Sequence, residues 1–186
     1  MSGNIIPDLT EDKGVSHYRI PSDSGWRVPD MSIVERELLK PDSMRLGLYS
    51  HLAFDYFFFM EYLGKRFTYR GDSLTVTDRI TGLVYPRDFF LSNRGLYGAY
   101  TLSNPGLIRD GYISKNVFTL PEYPPRTHIR RFDDRTCRNW LDEVRQHLRE
   151  VDEISSSVFS VTDIKRAIDE SATIISDKLS TLFPGP

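Results

Sequence analysis

The chain has one cysteine, Cys137, in 186 residues, so no internal disulfide can form. Folding without cross-links fits a reducing compartment. No stretch approaches the roughly 18 uninterrupted apolar residues that mark a membrane-crossing helix. The opening "MSGNIIPDLTEDKG" lacks the basic and then apolar pattern of a signal peptide, so a soluble protein made in a cytoplasm is expected. Charge of one sign is also missing: 24 Lys and Arg face 26 Asp and Glu, for a net charge of -2. No global field therefore recruits nucleic acid or anionic lipid. The phosphate-cradling and hydrolase signatures G-x-x-x-x-G-K-[ST], G-x-G-x-x-G and G-x-S-x-G are all absent from the sequence.

Aromatic residues are plentiful at 12%, which argues against a disordered chain. They concentrate in "LAFDYFFFMEYLG", residues 52–64, with four Phe and two Tyr. Leu48, Leu52, Tyr56, Phe59 and Leu63 recur at spacings of three and four, which predicts one buried helix face. Phe54 and Phe57 fall on its flanks, where a partner could meet them. Gly64 is the expected C-terminal cap.

Four segments are expected, in an α+β arrangement. Residues 1–30, punctuated by Pro7, Pro21 and Pro29, show neither helical nor strand periodicity and read as an extended arm. The arm carries apolar anchors, among them Ile5, Ile6 and Trp26. It either docks on a neighbour or wraps its own domain. In the first case, removing Trp26 would weaken assembly and spare the monomer.

Residues 31–91 read as a small α+β unit. A capping box is expected at Ser32 and Glu35, with a second helix start at Asp42 and Ser43. "SLTVTD" then alternates as a strand, paired with "GLVYP" across the turn "DRIT". Residues 92–132 are rich in Gly, Pro, Asn and Ser and read as a long loop, of the kind that serves a function or awaits a partner. Residues 133–186 are expected to be helical. Ser160 and Asp163 cap a last helix bearing Ile164, Ile168, Ile175 and Leu182.

Candidate chemistry is sparse. Cys137 lies on the apolar stripe of an expected helix, where a structural cysteine belongs. His147 is ten residues further along, about 15 Å away in a helix and out of reach as its base. The four histidines, at 17, 51, 128 and 147, stand singly and join no H-x-x-x-H or H-E-x-x-H spacing. Asp133 and Asp134 read as helix-start caps. "RGD" at 70–72 reads as a turn leading into the strand. No catalytic residue, cofactor or metal ligand is assigned.

The densest charge feature is "RTHIRRFDDRTCR", residues 126–138, which contains Arg126, Arg130, Arg131, Arg135 and Arg138. It reads as a solvated helix start, as a dock for an acidic protein surface, or as a contact for a nucleic-acid backbone. With only Phe132 inside the cluster, the interleaved aromatics of a single-strand binder are thin, and nucleic acid is not the expected partner.

The order "LGLYSHLAFDYFFFMEYLG", "RGDSLTVTD", "YPRDFF" resembles the lysin-motif-like unit in baseplate wedge proteins of contractile phage tails. Tyr49, Tyr56, Phe57 and Phe58 match its aromatic helix. Gly71, Leu74 and Val76 match its strand, and "DIKRAIDESATIISDKL" matches its amphipathic last helix. The asparagine that follows the aromatic helix in that family is replaced here by "EYLGKRFTYR". The resemblance implies a non-enzymatic structural subunit of a virion, joined to other protein subunits through the arm, the loop and the C-terminal helices. The residues expected at such interfaces are Ile5, Ile6, Trp26, Phe54, Phe57, Arg126, Arg130, Arg131, Arg135, Ile168 and Ile175. The alternative is a glycan-binding lysin-motif-like module, with its groove between helix and hairpin.

Overall fold

The structure, a computed structural model, describes residues 12–69, 73–113 and 158–183, apart from the side chains of 100–102. The expectations for Ile5, Ile6, the RGD turn, the Arg cluster and the helix from 133 lie outside the described residues.

The chain is α+β. A short helix α1 (Lys13–Ser16) leads into an antiparallel hairpin, β1 (Arg19–Pro21) and β2 (Arg27–Pro29), with Ile20 opposite Val28. Gly25, at φ +84°, supplies the left-handed residue of its turn. The expected extended arm is thus folded from residue 12 onward. Trp26, expected at an interface, is only 5% exposed. Its ring stacks on Tyr69 with centroids 4.4 Å apart and leans on Phe59 and Phe90. The missing periodicity misled because a three-residue strand is too short to display one.

Helix α2 (Met31–Leu38) starts two residues earlier than the sequence suggested. Asp30 is the cap, its carboxylate accepting from the Ser32 and Ile33 amides, so Ser32 is already inside the helix. Asp42 caps α3 (Ser43–Phe57) as expected, accepting from the Arg45 amide at 2.8 Å.

Helix α3 does not stop at Gly64. It widens into a π-helical turn, Phe58–Leu63, and continues through α4 (Gly64–Arg66). Gly64 has ordinary helical backbone at φ -64°, so it is not a left-handed cap. A side chain there would lie 3.0 Å from the Phe59 carbonyl oxygen and 3.1 Å from Ser24 Cβ. The glycine serves close packing.

The π turn shifts the buried face. Before it, Leu48, Tyr49, Leu52 and Ala53 are buried; within it, Phe58, Tyr62 and Leu63 are. Tyr56 and Phe59, expected inside, are both half-buried; for Phe59 the cause is the wider winding, which takes residues of the turn off the period of 3.6.

Strands β3 (Phe67–Thr68), β4 (Thr75–Asp78) and β5 (Val84–Pro86) form an antiparallel sheet in chain order. Val76 lies opposite Tyr85 on the core side, as the alternation of "SLTVTD" predicts. A short helix α5 (Arg87–Phe90) then precedes α6 (Leu96–Arg109).

Helix α6 corrects the reading of 92–132 as a loop throughout. Its glycines sit where the backbone is crowded: a Cβ on Gly98 would lie 1.8 Å from the Asn93 carbonyl oxygen, and one on Gly106 3.0 Å from Val161 Cγ1. Pro105 lies inside the helix and removes one ladder hydrogen bond. Here glycine marks packing rather than a turn.

The last helix, α7 (Val161–Leu182), carries the expected capping box. Ser160 Oγ accepts from the Asp163 amide at 3.1 Å, and Asp163 Oδ2 accepts from the Ser160 amide at 3.0 Å. It lies against α3 and α6. Two cores result. One gathers Trp26, Phe58, Phe67, Val76, Phe90 and Phe159 among others; the second joins Tyr18, Val34, Leu38, Leu48 and Leu52. Each fully buried leucine contributes about 1.5–3 kcal/mol. The regular helix before the π turn feeds the second core, and the turn itself feeds the first.

Candidate functional site

The expected interface residues separate into three groups. Trp26 belongs to the first core. Phe54, Phe57, Ile168 and Ile175 are half-buried along the seam between α3 and α7. The remaining ones lie outside the described residues.

That seam opens on both sides into clefts. One, of about 460 Å³, is lined by Met31, Tyr49, Phe57, Ile174, Ile175 and Lys178 among others. The other, of about 410 Å³, is lined by Phe54, Ile168, Ile175 and Leu179 among others. Lys178 crosses to Glu35 on α2 as an ion pair. Its hydrogen bond to Glu35 raises the Lys178 pKa, while burial raises that of the Tyr49 hydroxyl. The ammonium at the mouth of the first cleft is thus held charged beside an apolar wall.

The tip of the β4–β5 hairpin carries apolar side chains that the rest of the fold leaves uncovered. Ile80 is 71%, Leu83 55% and Val84 59% exposed. The run Ile80–Pro86 contains no charge. Asp78 shapes this tip: its Oδ1 accepts from the Ile80 amide at 2.9 Å and the Thr81 amide at 3.4 Å. Burial pushes the Asp78 pKa up, but the Ile80 amide and the Arg66 guanidinium outweigh it and hold the group below the ordinary carboxylate value. The apolar tip therefore stands on a fixed base.

A third place brings together residues that the sequence leaves apart. His17 directly follows α1, and His51 and Asp55 lie one turn apart on α3. His17 Nε2 is 3.3 Å from His51 Nε2 and 3.7 Å from Asp55 Oδ2; His51 Nε2 is 3.9 Å from the same oxygen. His17 is 1% exposed, while His51 and Asp55 keep 14% and 19%. On its other side, His17 Nδ1 is 2.9 Å from the hydroxyl of buried Ser16. Sequence reading by H-x-x-x-H spacing missed this cluster. The i, i+4 spacing of His51 and Asp55 was visible, but His17, 34 residues before His51, arrives only through the fold.

Comparison of the chain with protein families, with curated proteins and with solved structures finds no match in any of the three.

Proposed function

We propose that the protein is a non-enzymatic structural subunit of a larger protein assembly, and that the β4–β5 tip is one of its contact surfaces. The observation that carries this reading is the exposure of Ile80, Leu83 and Val84 together at the end of an anchored hairpin. Apolar residues grouped in this way mark sites of protein contact, whereas single exposed ones need no explanation. Among the described residues no helix is long and apolar enough to cross a membrane. The setting, a phage-tail-baseplate-like virion structure, comes from the resemblance of the helix and hairpin unit.

The test is sedimentation of the purified chain over a range of concentrations, for the wild type and for the Ile80→Asp, Leu83→Asp double variant. Concentration-dependent association that the variant loses, with unchanged melting, supports the reading. A wild type that stays monomeric and binds chitin or peptidoglycan fragments saturably would favour the glycan-binding alternative. The two clefts described above flank α7, and neither lies between α3 and the β3–β5 sheet, where that alternative would place its groove.

A further inference from the structure

We propose that His17, His51 and Asp55 form a binding site for one divalent transition-metal ion of the zinc class. The geometry carries the assignment. A triangle with sides of 3.3, 3.7 and 3.9 Å has a point about 2.1 Å from all three corners. Zinc binds imidazole nitrogen at about 2.0–2.1 Å and carboxylate oxygen at about 2.0–2.2 Å. The three ligand atoms are already spaced for an ion between them.

The two imidazoles are within hydrogen-bond reach of each other at 3.3 Å, and an ion between them and the carboxylate would replace that contact. Both distances from imidazole to carboxylate, 3.7 and 3.9 Å, exceed hydrogen-bond length. The three atoms nevertheless converge, one from each residue, within 4.8 Å of one another. Two imidazole nitrogens and one carboxylate oxygen suit zinc and its transition-metal neighbours. Calcium and magnesium prefer shells of oxygen.

The surroundings fit as well. If His17 Nδ1 carries the proton and donates to Ser16 Oγ, its Nε2 lone pair faces the site, as with the outer partners of metal-bound histidines. Ser16, His17 and Tyr18 are consecutive and all buried, which an extended chain with alternating side chains does not permit. Tyr18 resolves this with left-handed backbone at φ +51°, uncommon for a residue other than glycine. Its ring enters the second core while His17 meets α3. The partial exposure of His51 and Asp55 leaves a side from which an ion can arrive. Three protein ligands leave a fourth position for water or an outside ligand. The bound ion would tie the segment before β1 to the middle of α3.

The test uses the full, tag-free chain, stripped with a chelator and titrated with Zn2+ by calorimetry, with Co2+ followed by its visible absorption. The expected result is one equivalent bound per chain, a raised melting temperature with Zn2+, and no competition from Mg2+. His51→Ala and Asp55→Asn should each weaken binding by at least about tenfold, and Ser16→Ala by about tenfold. Cys137→Ser should change nothing. Asp55→Asn keeps the side-chain volume and serves if His51→Ala does not fold. Absence of stoichiometric binding would overturn the proposal. So would binding that survives both ligand variants or disappears with Cys137→Ser.

Discussion

Arg66 and Asp78 form an ion pair at the heart of the molecule, with Nη2 and Oδ2 3.1 Å apart. Asp78 is 1% exposed and Arg66 15%. The guanidinium also reaches Asp163 on α7 at 3.5 Å and lies over the Phe67 and Phe159 rings. One arginine at the end of α4 therefore joins the hairpin, the start of α7 and the first core.

Removing one partner from such a pair leaves a buried charge uncompensated, which costs about 3–5 kcal/mol. Asp78→Ala should lose about 3 kcal/mol in urea unfolding, the low end of that range, because Asp163 still faces Arg66. Asp78→Asn keeps an oxygen for the Ile80 amide and should lose less. Equal losses would mean that the charge matters most and the turn hydrogen bonds little.

The same carboxylates set the response to acid. Asp78 and Asp163 have folded pKa values lowered below the ordinary 3.8, with burial opposed and outweighed by the Ile80 and Ser160 amides and by Arg66. Their stabilisation is fully present above the unfolded value and is lost as pH falls through the lowered folded values. Urea midpoints measured from about pH 6 down to about pH 2 should hold nearly level and then drop, and Asp78→Asn should shrink the drop.

Trp26→Ala should destabilise the isolated chain by about 3–5 kcal/mol, because it empties a large site in the first core. The chemical-denaturation midpoint reads this directly. A variant that melts like the wild type would restore the reading of residues 1–30 as an arm awaiting a neighbour.

Gly98→Ala probes α6. In a helix exposed to water this change is favourable by about 1 kcal/mol. Here the new Cβ would sit 1.8 Å from the Asn93 carbonyl oxygen, so the sign reverses and a loss of about 1–3 kcal/mol is expected. Thermal melting of the single variant decides between the two.

At the hairpin tip, Ile80→Asp with Leu83→Asp should leave monomer stability within about 0.5 kcal/mol, since both side chains already face water. Association should fall. Loss of stability instead would show that the tip is held by the chain's own fold.

The sequence disclosed what depends on neighbours close along the chain. The Ser160–Asp163 box, the Asp42 cap and the paired strands 75–78 and 84–86 are each written in a few consecutive residues. It concealed what depends on distant ones. The glycines of α6 looked like breakers because Val161, which sits against Gly106, is far off in the chain. The His17 cluster stayed hidden for the same reason, and the π turn because hydrophobic periodicity assumes one winding throughout.

That turn makes the helix from Ser43 to Arg66 behave as two gears on one shaft, set at different angles. Its six residues, Phe58–Leu63, hold the angle between them. A π turn holds about one residue more than the α-helical path it replaces, so rewinding these six residues as regular helix at unchanged length would turn the far gear by about 100°. Leu63 and Phe67 would rotate away from their places in the first core while Leu48 and Leu52 stayed in the second. Deleting one residue within the turn would instead restore a regular helix with both gears kept at their present angle.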